Sequence, residues 1–340
     1  MPTQTVLFVG LFVLMGGLFH IIPGLTRPDL FFAVTVAPEF RTSPDAQRIL
    51  RRYRAMVWMT TLVASWLVVA AGSAVGAVLL EAMGFLGALV STHRAALAYA
   101  AAPGSIVEVD LAMPQERLPG GPIIAVLPVL LLGSLGLWVG FHWDRLPPRF
   151  PVHFGLHGAN RWVTTTPATV FSFLALQALI CLLLAGLAWG IVNWTRRIST
   201  AGASATTERH FRRRMAQLVI VSEYFLACPA WIALFHPASA AVNVWGLALA
   251  TVIVAFTVSL MRGGQGGSRA AVIAGTAPVG DRTPDACWKW GLCYVNPADP
   301  SILIEKRFGV GYTLNFGNRW TWLVLALLLV PVAAGLILLR

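Results

Sequence analysis

Long apolar runs separated by short polar segments repeat along the whole chain. A helix needs about 20 apolar residues to cross the hydrocarbon core of a bilayer. Six runs reach that length, at roughly 4–22, 121–140, 168–193, 215–236, 239–261 and 320–339. The stretch from Ala55 to Ala102 is apolar except for Glu81, His93 and Arg94, and it has room for two more helices with a tight turn at Ala71-Gly72-Ser73. The pattern therefore predicts an all-α polytopic membrane protein with about eight transmembrane helices.

Composition supports this class and excludes several others. The chain is 57% hydrophobic and 11% charged, whereas soluble domains carry about a quarter charged residues. Four cysteines without a CxxC pair do not form a disulfide framework or a zinc site. No basic residue precedes the first apolar run, which argues against a cleaved signal peptide.

Basic residues predict the topology. With eight spans, the loops 23–54, 94–120, 194–214 and 262–319 share one side and hold 21 of the 25 basic residues. The loops on the other side hold only Arg145, Arg149 and Arg161. A single crossing at 55–102 gives a much weaker asymmetry, 15 against 9. Because basic residues collect in cytoplasmic loops, we expect a bacterial inner-membrane protein with both termini outside the cytoplasm.

Two loops differ from simple connections. The outer loop between the fourth and fifth spans contains Pro147, Pro148 and Pro151, which exclude regular helix and predict a rigid, extended connection. In the last inner loop, a Gly-rich stretch precedes short apolar runs divided by Asn-Pro, Asp-Pro and Gly, which predict three short strands. The predicted units are three transmembrane helices with basic loops (1–120), a helix–outer loop–helix unit (121–195), two more helices (196–262), a flexible linker (263–286), a small β-rich cytoplasmic element (287–319) and the last helix (320–340).

Two motifs resemble known families. In the outer loop, Pro151, His153, Phe154 and Gly158 form a P-x-H-F-x-x-x-G motif. This loop resembles a short domain of unknown function in the immunity proteins against sporulation-delaying peptide. The resemblance implies a role in signalling or in immunity to a peptide, with a peptide ligand outside and a protein partner in the cytoplasm.

The second motif lies in the β-rich element. Here the chain is similar to an uncharacterised domain that accompanies the first one in larger bacterial membrane proteins. The matching positions are Asn296, Pro297, Asp299, Pro300, Glu305, Lys306, Arg307, Phe308, Gly309, Gly311, Tyr312, Thr313, Asn315 and Phe316.

The outer loop also gathers possible metal ligands, namely His142, Asp144, His153 and His157. The spacing of His153 and His157 suits zinc only on a helix, and the neighbouring prolines and glycines make a helix improbable there. Whether the four groups meet stays open, but we expect no metal and no cofactor.

Two carboxylates, Glu81 and Glu223, fall at membrane depth. Buried ionisable groups often mark ion or proton pathways. The alternative is one interhelical hydrogen bond or, for Glu223, a side chain extended toward Arg212–Arg214. No Walker loop, GxSxG or HExxH motif is present, so we expect no enzyme. The basic residues are expected to face the lipid bilayer rather than a nucleic acid.

Three functions remain open from the sequence. The first is signalling or immunity, with a signal received outside and relayed inside. The second is secondary transport that uses Glu223, with Gln177 and Asn193 as further polar groups in the helices. The third is a structural membrane component without a ligand.

Overall fold

The computed structural model describes residues 3–101, 116–155, 158–195, 202–235, 241–273 and 283–338. The α-helices are α1 (Thr3–Ile21), α2 (Pro44–Ala71), α3 (Ala74–Ala96), α4 (Pro122–Phe141), α5 (Pro167–Asn193), α6 (Gly202–Ala227), α7 (Pro229–Phe235), α8 (Ala241–Gly263), α9 (Ser268–Ile273) and α10 (Arg319–Leu338). The strands are β1 (Leu30–Phe31), β2 (Val34–Thr35), β3 (Arg149–Gly155), β4 (Gly158–Thr164), β5 (Trp288–Lys289), β6 (Cys293–Tyr294), β7 (Leu303–Glu305) and β8 (Tyr312–Leu314). They pair as four separate antiparallel hairpins.

The helices are those of a polytopic membrane protein. Within the described part of the chain, seven helical stretches are long and apolar enough to cross a membrane, and α10 is an eighth, shorter apolar helix. Large apolar side chains such as Met59, Leu62, Trp66 and Leu247 point outward from them. A lipid environment removes the cost that water would impose on such a surface.

The helices form two groups. The first group, α1–α3, is held by contacts of α2 with α1 and α3. In the second group α4, α5, α6 and α8 pack together, and α10 packs against α5. The extensive helix–helix contacts fall within each group, and so do the apolar clusters in the membrane-spanning part.

The predicted turn between α2 and α3 is confirmed. Helix α2 ends at Ala71, and Gly72 follows in the left-handed conformation with φ 65°, which glycine adopts without a steric penalty. A small residue lets α3 pack closely on α2, since a Cβ at Gly84 would lie only 2.2 Å from the Thr60 side chain. This is the packing that replaces the hydrophobic effect between helices in lipid.

Two helices extend beyond their predicted spans. Helix α2 begins at Pro44, where Ser43 caps it by accepting a hydrogen bond from the Ala46 amide. Helix α6 begins at Gly202 and includes residues 202–214 of the loop that was predicted at 194–214. After a break at Cys228, the short helix α7 completes the span that was predicted at 215–236.

The outer loop is extended, as its prolines require, but it pairs with itself. Strands β3 and β4 form a hairpin, here called the outer hairpin, whose register shifts on both sides of His153. The Phe150 side chain is fully buried and its ring lies 5.4 Å from that of Phe173 on α5. The hairpin also contacts α7.

The prediction of a flexible linker at 263–286 is wrong for its first part. Residues 265–267 form a 3-10 turn followed by α9, and Gln265, Gly266 and Ser268 are buried. The glycines do not make this segment flexible. They permit the positive φ of the turn and let its backbone approach Thr207 closely. Residues 274–282 lie outside the described part of the chain.

The predicted β-rich element contains four short strands rather than three. Residues 283–316, called the C-terminal element below, form the hairpins β5–β6 and β7–β8, joined by a bridge between Tyr294 and Asn315. Further contacts come from the loops predicted to share its side. Thr195, after α5, pairs with Leu303, and Leu25 accepts a hydrogen bond from the Gln265 amide. The loops grouped by charge therefore meet at one end of the helices, opposite the outer hairpin.

Candidate functional site

The C-terminal element is the part of the molecule where chemistry-bearing side chains converge, because its interior is polar. Buried charged or polar residues come from four distant segments: Arg27, Thr35, Glu208, Arg212, Gln265, Thr283, Glu305, Arg307 and Asn315. Charges are buried only when they are paired and hydrogen-bonded. The geometry of these pairs therefore decides what the element does.

Arg307 joins the C-terminal element to the loop between α1 and α2. Its guanidinium is 0% exposed and forms an ion pair with Asp285. It also donates hydrogen bonds to the Ala33 carbonyl, to the Thr35 hydroxyl and to Thr283. The guanidinium carbon lies 5.3 Å from the Trp288 ring centre, in cation–π geometry. Five planar donors make arginine suited to such multiple recognition.

The partner of Arg307 in the loop between α1 and α2 is the hairpin β1–β2, which has an unusual turn. Its two turn residues, Phe32 and Ala33, have φ of 46° and 66°, a left-handed conformation that costs about 1–3 kcal/mol for residues with a Cβ. Three contacts hold it. Nδ1 of His93 donates to the Phe32 carbonyl at 2.8 Å, Arg307 binds the Ala33 carbonyl, and the Phe32 ring stacks on Phe308. Phe308 lies in the loop between β7 and β8, and its side chain packs in the apolar core of the first helix group.

A second ion pair lies beside the first. Nη2 of Arg27 and Oε2 of Glu305 are 2.5 Å apart, and both side chains are under 5% exposed. Burial alone lowers the pKa of Arg27, but the charge of Glu305 and the hydrogen bond raise the pKa above its usual value on balance. Gln265 completes this site, since its amide pairs with both the N–H and the carbonyl of Gly311.

The C-terminal element also contacts α6. Arg212 pairs with Glu208 at 2.7 Å and with Glu116 at 2.8 Å. The ring of Phe211 lies 6.0 Å from that of Tyr312. The Tyr312 hydroxyl is buried without a hydrogen-bond partner, and burial followed by the charge of Glu305 raises the pKa of Tyr312 well above its usual value.

One residue of the second motif, Asn315, organises a loop of the C-terminal element. Asn315 is fully buried, and its side-chain amide donates to the carbonyls of Asn296, Asp299 and Ser301. Its oxygen accepts from the amides of Asn296 and Gly317. These bonds close the loop that contains Pro297 and Pro300. A side chain with its hydrogen bonds satisfied in this way specifies a loop conformation.

The first motif lies in the outer hairpin, at the other end of the helices from the C-terminal element. Nδ1 of His153 lies 2.7 Å from the Asn160 oxygen across the hairpin, and Pro151 pairs with Trp162. Phe154 and Gly158 lie in β3 and β4. His142 instead stacks on Trp138 and contacts its carbonyl.

The metal candidates have different surroundings. Asp144 lies in the 3-10 turn that precedes the hairpin, and His157 is outside the described residues. Among those that are described, no group of three His, Cys, Asp or Glu side chains could hold a metal.

The two membrane carboxylates differ. Glu81 accepts a hydrogen bond from the Thr61 hydroxyl of α2 at 3.2 Å. Glu223, on α6, is 0% exposed, and neither carboxylate oxygen has a partner. The alternative in which Glu223 extends toward Arg212–Arg214 is not seen, since neither of its carboxylate oxygens has a partner. Arg212 is held instead by Glu116 and Glu208.

Several residues of this site escape sequence reasoning. Arg27, Asp285 and Glu208 look like ordinary loop charges, and Gln265 lies in a Gly-rich stretch. The decisive partners are distant along the chain: Arg27 and Glu305 are 278 positions apart, and Gln265 and Gly311 are 46 positions apart. The density of polar residues in the second motif is the one local indication of a folded polar interior.

The comparisons with known proteins fall on this element. A model described as "Family of unknown function (DUF5808)" matches residues 297–322, which include strands β7 and β8 and the start of α10. No curated protein and no solved structure matches the chain. The similarity therefore covers the β7–β8 half of the C-terminal element and the beginning of α10.

Proposed function

We propose that this chain is a bacterial inner-membrane protein of signalling or immunity, which relays a peptide or envelope signal from the outer hairpin to the C-terminal element. The observation that carries this proposal is the position of α6. This helix contacts the region of the outer hairpin at one end and the polar interior of the C-terminal element at the other. The excess of basic residues on the side of the C-terminal element supports a cytoplasmic location for it.

At the outer end, the contact is apolar. Phe150 of β3 belongs to one buried cluster with Ala227, the last residue of α6, and with Ala230 and Leu234 of α7. A displaced hairpin must therefore disturb the end of α6. Packed cores respond to such displacement by switching between discrete arrangements rather than by gradual deformation.

At the inner end, α6 meets the C-terminal element through two aromatic rings, beside an ion pair within α6 itself. Arg212 and Glu208 pair on α6, and Phe211 meets Tyr312 of β8. With 26 residues, α6 is about 39 Å long at 1.5 Å per residue. That length exceeds the hydrocarbon thickness of about 30 Å, so one helix reaches both sites.

Hydrogen–deuterium exchange on the purified protein tests the relay without knowledge of the ligand. Phe150→Leu removes shape complementarity under the hairpin, and we expect faster exchange in 205–214 and 303–314 as well as in the hairpin. Phe12→Leu is the matched control, because Phe12 is equally buried but lies on α1 in a separate cluster. Exchange that rises only around the hairpin contradicts the relay.

Glu223 supports a second candidate, proton-linked transport. A buried carboxylate without partners is costly in a membrane and is typical of proton relays. On α5, Gln177 likewise has a buried side-chain oxygen without a partner, and α5 packs along α6. Gln177 and Glu223 therefore lie on two helices that pack against each other. A transport path that uses both residues would require these helices to move apart.

Proteoliposomes with an internal pH-sensitive dye test this candidate. If the protein moves protons, Glu223→Gln abolishes the flux driven by a pH gradient. Glu81→Gln, which alters a hydrogen-bonded carboxylate on α3, leaves it largely intact. Wild-type flux equal to that of empty liposomes eliminates this candidate.

A further inference from the structure

One face of α3 is apolar and open to lipid until its last turn. Leu79, Met83 and Leu86 are 60%, 66% and 41% exposed. Their spacing of four and three residues places them in one line along the helix, and the same line continues through Val90 to Arg94. Such a stripe contacts acyl chains and ends at a cation.

Arg94 borders a cleft of about 740 Å³ between the end of α3 and the hairpin β5–β6. Val90, His93 and Arg94 of α3 form one wall. Asp285, Lys289 and Trp290 belong to the other. The cleft therefore lies where a lipid-facing helix meets a folded element outside the membrane.

The charges around the cleft favour an anion. Arg94 and Lys289 are exposed, and among the described residues neither forms an ion pair with a carboxylate. Lys289 only donates to the Ala286 carbonyl at 3.2 Å. The carboxylate of Asp285 is neutralised by the buried Arg307. Two cations thus remain for a ligand.

The wall formed by β5–β6 is held in a fixed position. Trp290 and Gly291, at its tip, have φ of 54° and 73°, the conformation of a tight hairpin turn. A Cβ at Gly291 would approach Ala33 to 2.8 Å and Nδ1 of His93 to 2.9 Å, so the tip is docked closely. Trp290 remains 64% exposed, as tryptophan commonly is at the membrane–water interface.

We propose that this cleft binds the phosphate-bearing headgroup of an anionic phospholipid, with Arg94 and Lys289 as its cationic contacts. The lipid's acyl chain lies along Val90, Leu86 and Met83. From Met83 to Arg94 the helix rises by about 16 Å at 1.5 Å per residue. That length is close to half of the roughly 30 Å hydrocarbon core, the thickness of a single leaflet. This assignment does not depend on the relay or on transport.

Native mass spectrometry of the full-length protein tests the site. The protein is released from nanodiscs that contain equal parts of phosphatidylglycerol and phosphatidylcholine, and retained lipids are counted. We expect one tightly retained phosphatidylglycerol. Removal of both cations in Arg94→Gln/Lys289→Gln weakens its binding by about 25-fold, since each charge contributes about fivefold.

Two further variants control the test. Arg51→Gln/Arg52→Gln removes two exposed cations of α2 that do not line the cleft, and it should keep the lipid. Arg94→Lys/Lys289→Arg preserves the charges and should also retain it. Equal loss in the α2 variant overturns the proposal, as does equal retention of phosphatidylcholine. Displacement of the lipid by millimolar inorganic phosphate shows a site for free phosphate, which also overturns it.

Discussion

Replacement of Arg307 by methionine should release the C-terminal element from the first helix group. Methionine preserves much of the side-chain volume but removes the ion pair with Asp285 and the hydrogen bonds to Ala33, Thr35 and Thr283. Loss of one partner from a buried pair costs about 3–5 kcal/mol. Because the Asp285 side chain is 23% exposed and can reach water, we expect the lower value, about 3 kcal/mol.

Hydrogen–deuterium exchange measures this loss locally. A cost of about 3 kcal/mol raises the opening equilibrium of amides in β5–β8 by about 100-fold. Lys306→Met is the matched control, since Lys306 is the adjacent cation but is exposed, and surface changes of this kind stay within about 0.5 kcal/mol. In the double variant Arg307→Met/Asp285→Asn, part of the loss should be recovered, because the unpaired charge is gone. Protection in Arg307→Met that matches Lys306→Met refutes the reasoning.

Three further predictions concern the same region. Glu305→Gln should lower the stability of the C-terminal element by about 3 kcal/mol, because Arg27 is left buried without its counter-charge, whereas Glu39→Gln at an exposed site should not; thermal unfolding in detergent compares them. Gly291→Ala should undock the β5–β6 tip from Ala33 and His93, while Gly309→Ala, with φ 91° and open space, incurs only backbone strain; exchange at residues 288–294 separates the two. Tyr312 has a raised pKa because of burial, so its stabilising contribution is present below the unfolded pKa of about 10 and is lost as pH rises above it. Tyr312→Phe should therefore remove part of the stability loss between pH 9 and 11, and an unchanged alkaline profile contradicts this.

The membrane helices could be predicted from sequence because their determinants are local. An apolar run of sufficient length must form a helix in lipid, and Gly72 marks the turn between α2 and α3. The grouping of loops by charge agrees with the loops that contact one another, such as Leu25 with Gln265. The prolines correctly excluded helix from the outer loop, but its self-pairing depends on register, which no single residue reveals.

The polar interior could not be predicted, because its pairs join distant segments. Arg27 was counted among the loop cations, and no local pattern distinguishes it from the exposed Arg51. The prediction of a linker at 263–286 failed because glycine has two uses. In the turn at 265–267 it permits positive φ and close contact with Thr207 and Glu305 rather than disorder. The strained residues Phe32 and Ala33 likewise carry no sequence signal, since neither is a usual turn residue.

The relay requires that the outer hairpin and the C-terminal element face opposite sides of the membrane. Single cysteines at Trp162 and Lys306, both exposed, can be placed in a variant whose four native cysteines are replaced by serine. A membrane-impermeant maleimide should label Trp162→Cys in intact cells and Lys306→Cys only after the cells are permeabilised. Labelling of both positions in intact cells, or of neither, contradicts a signal that crosses the membrane through α6.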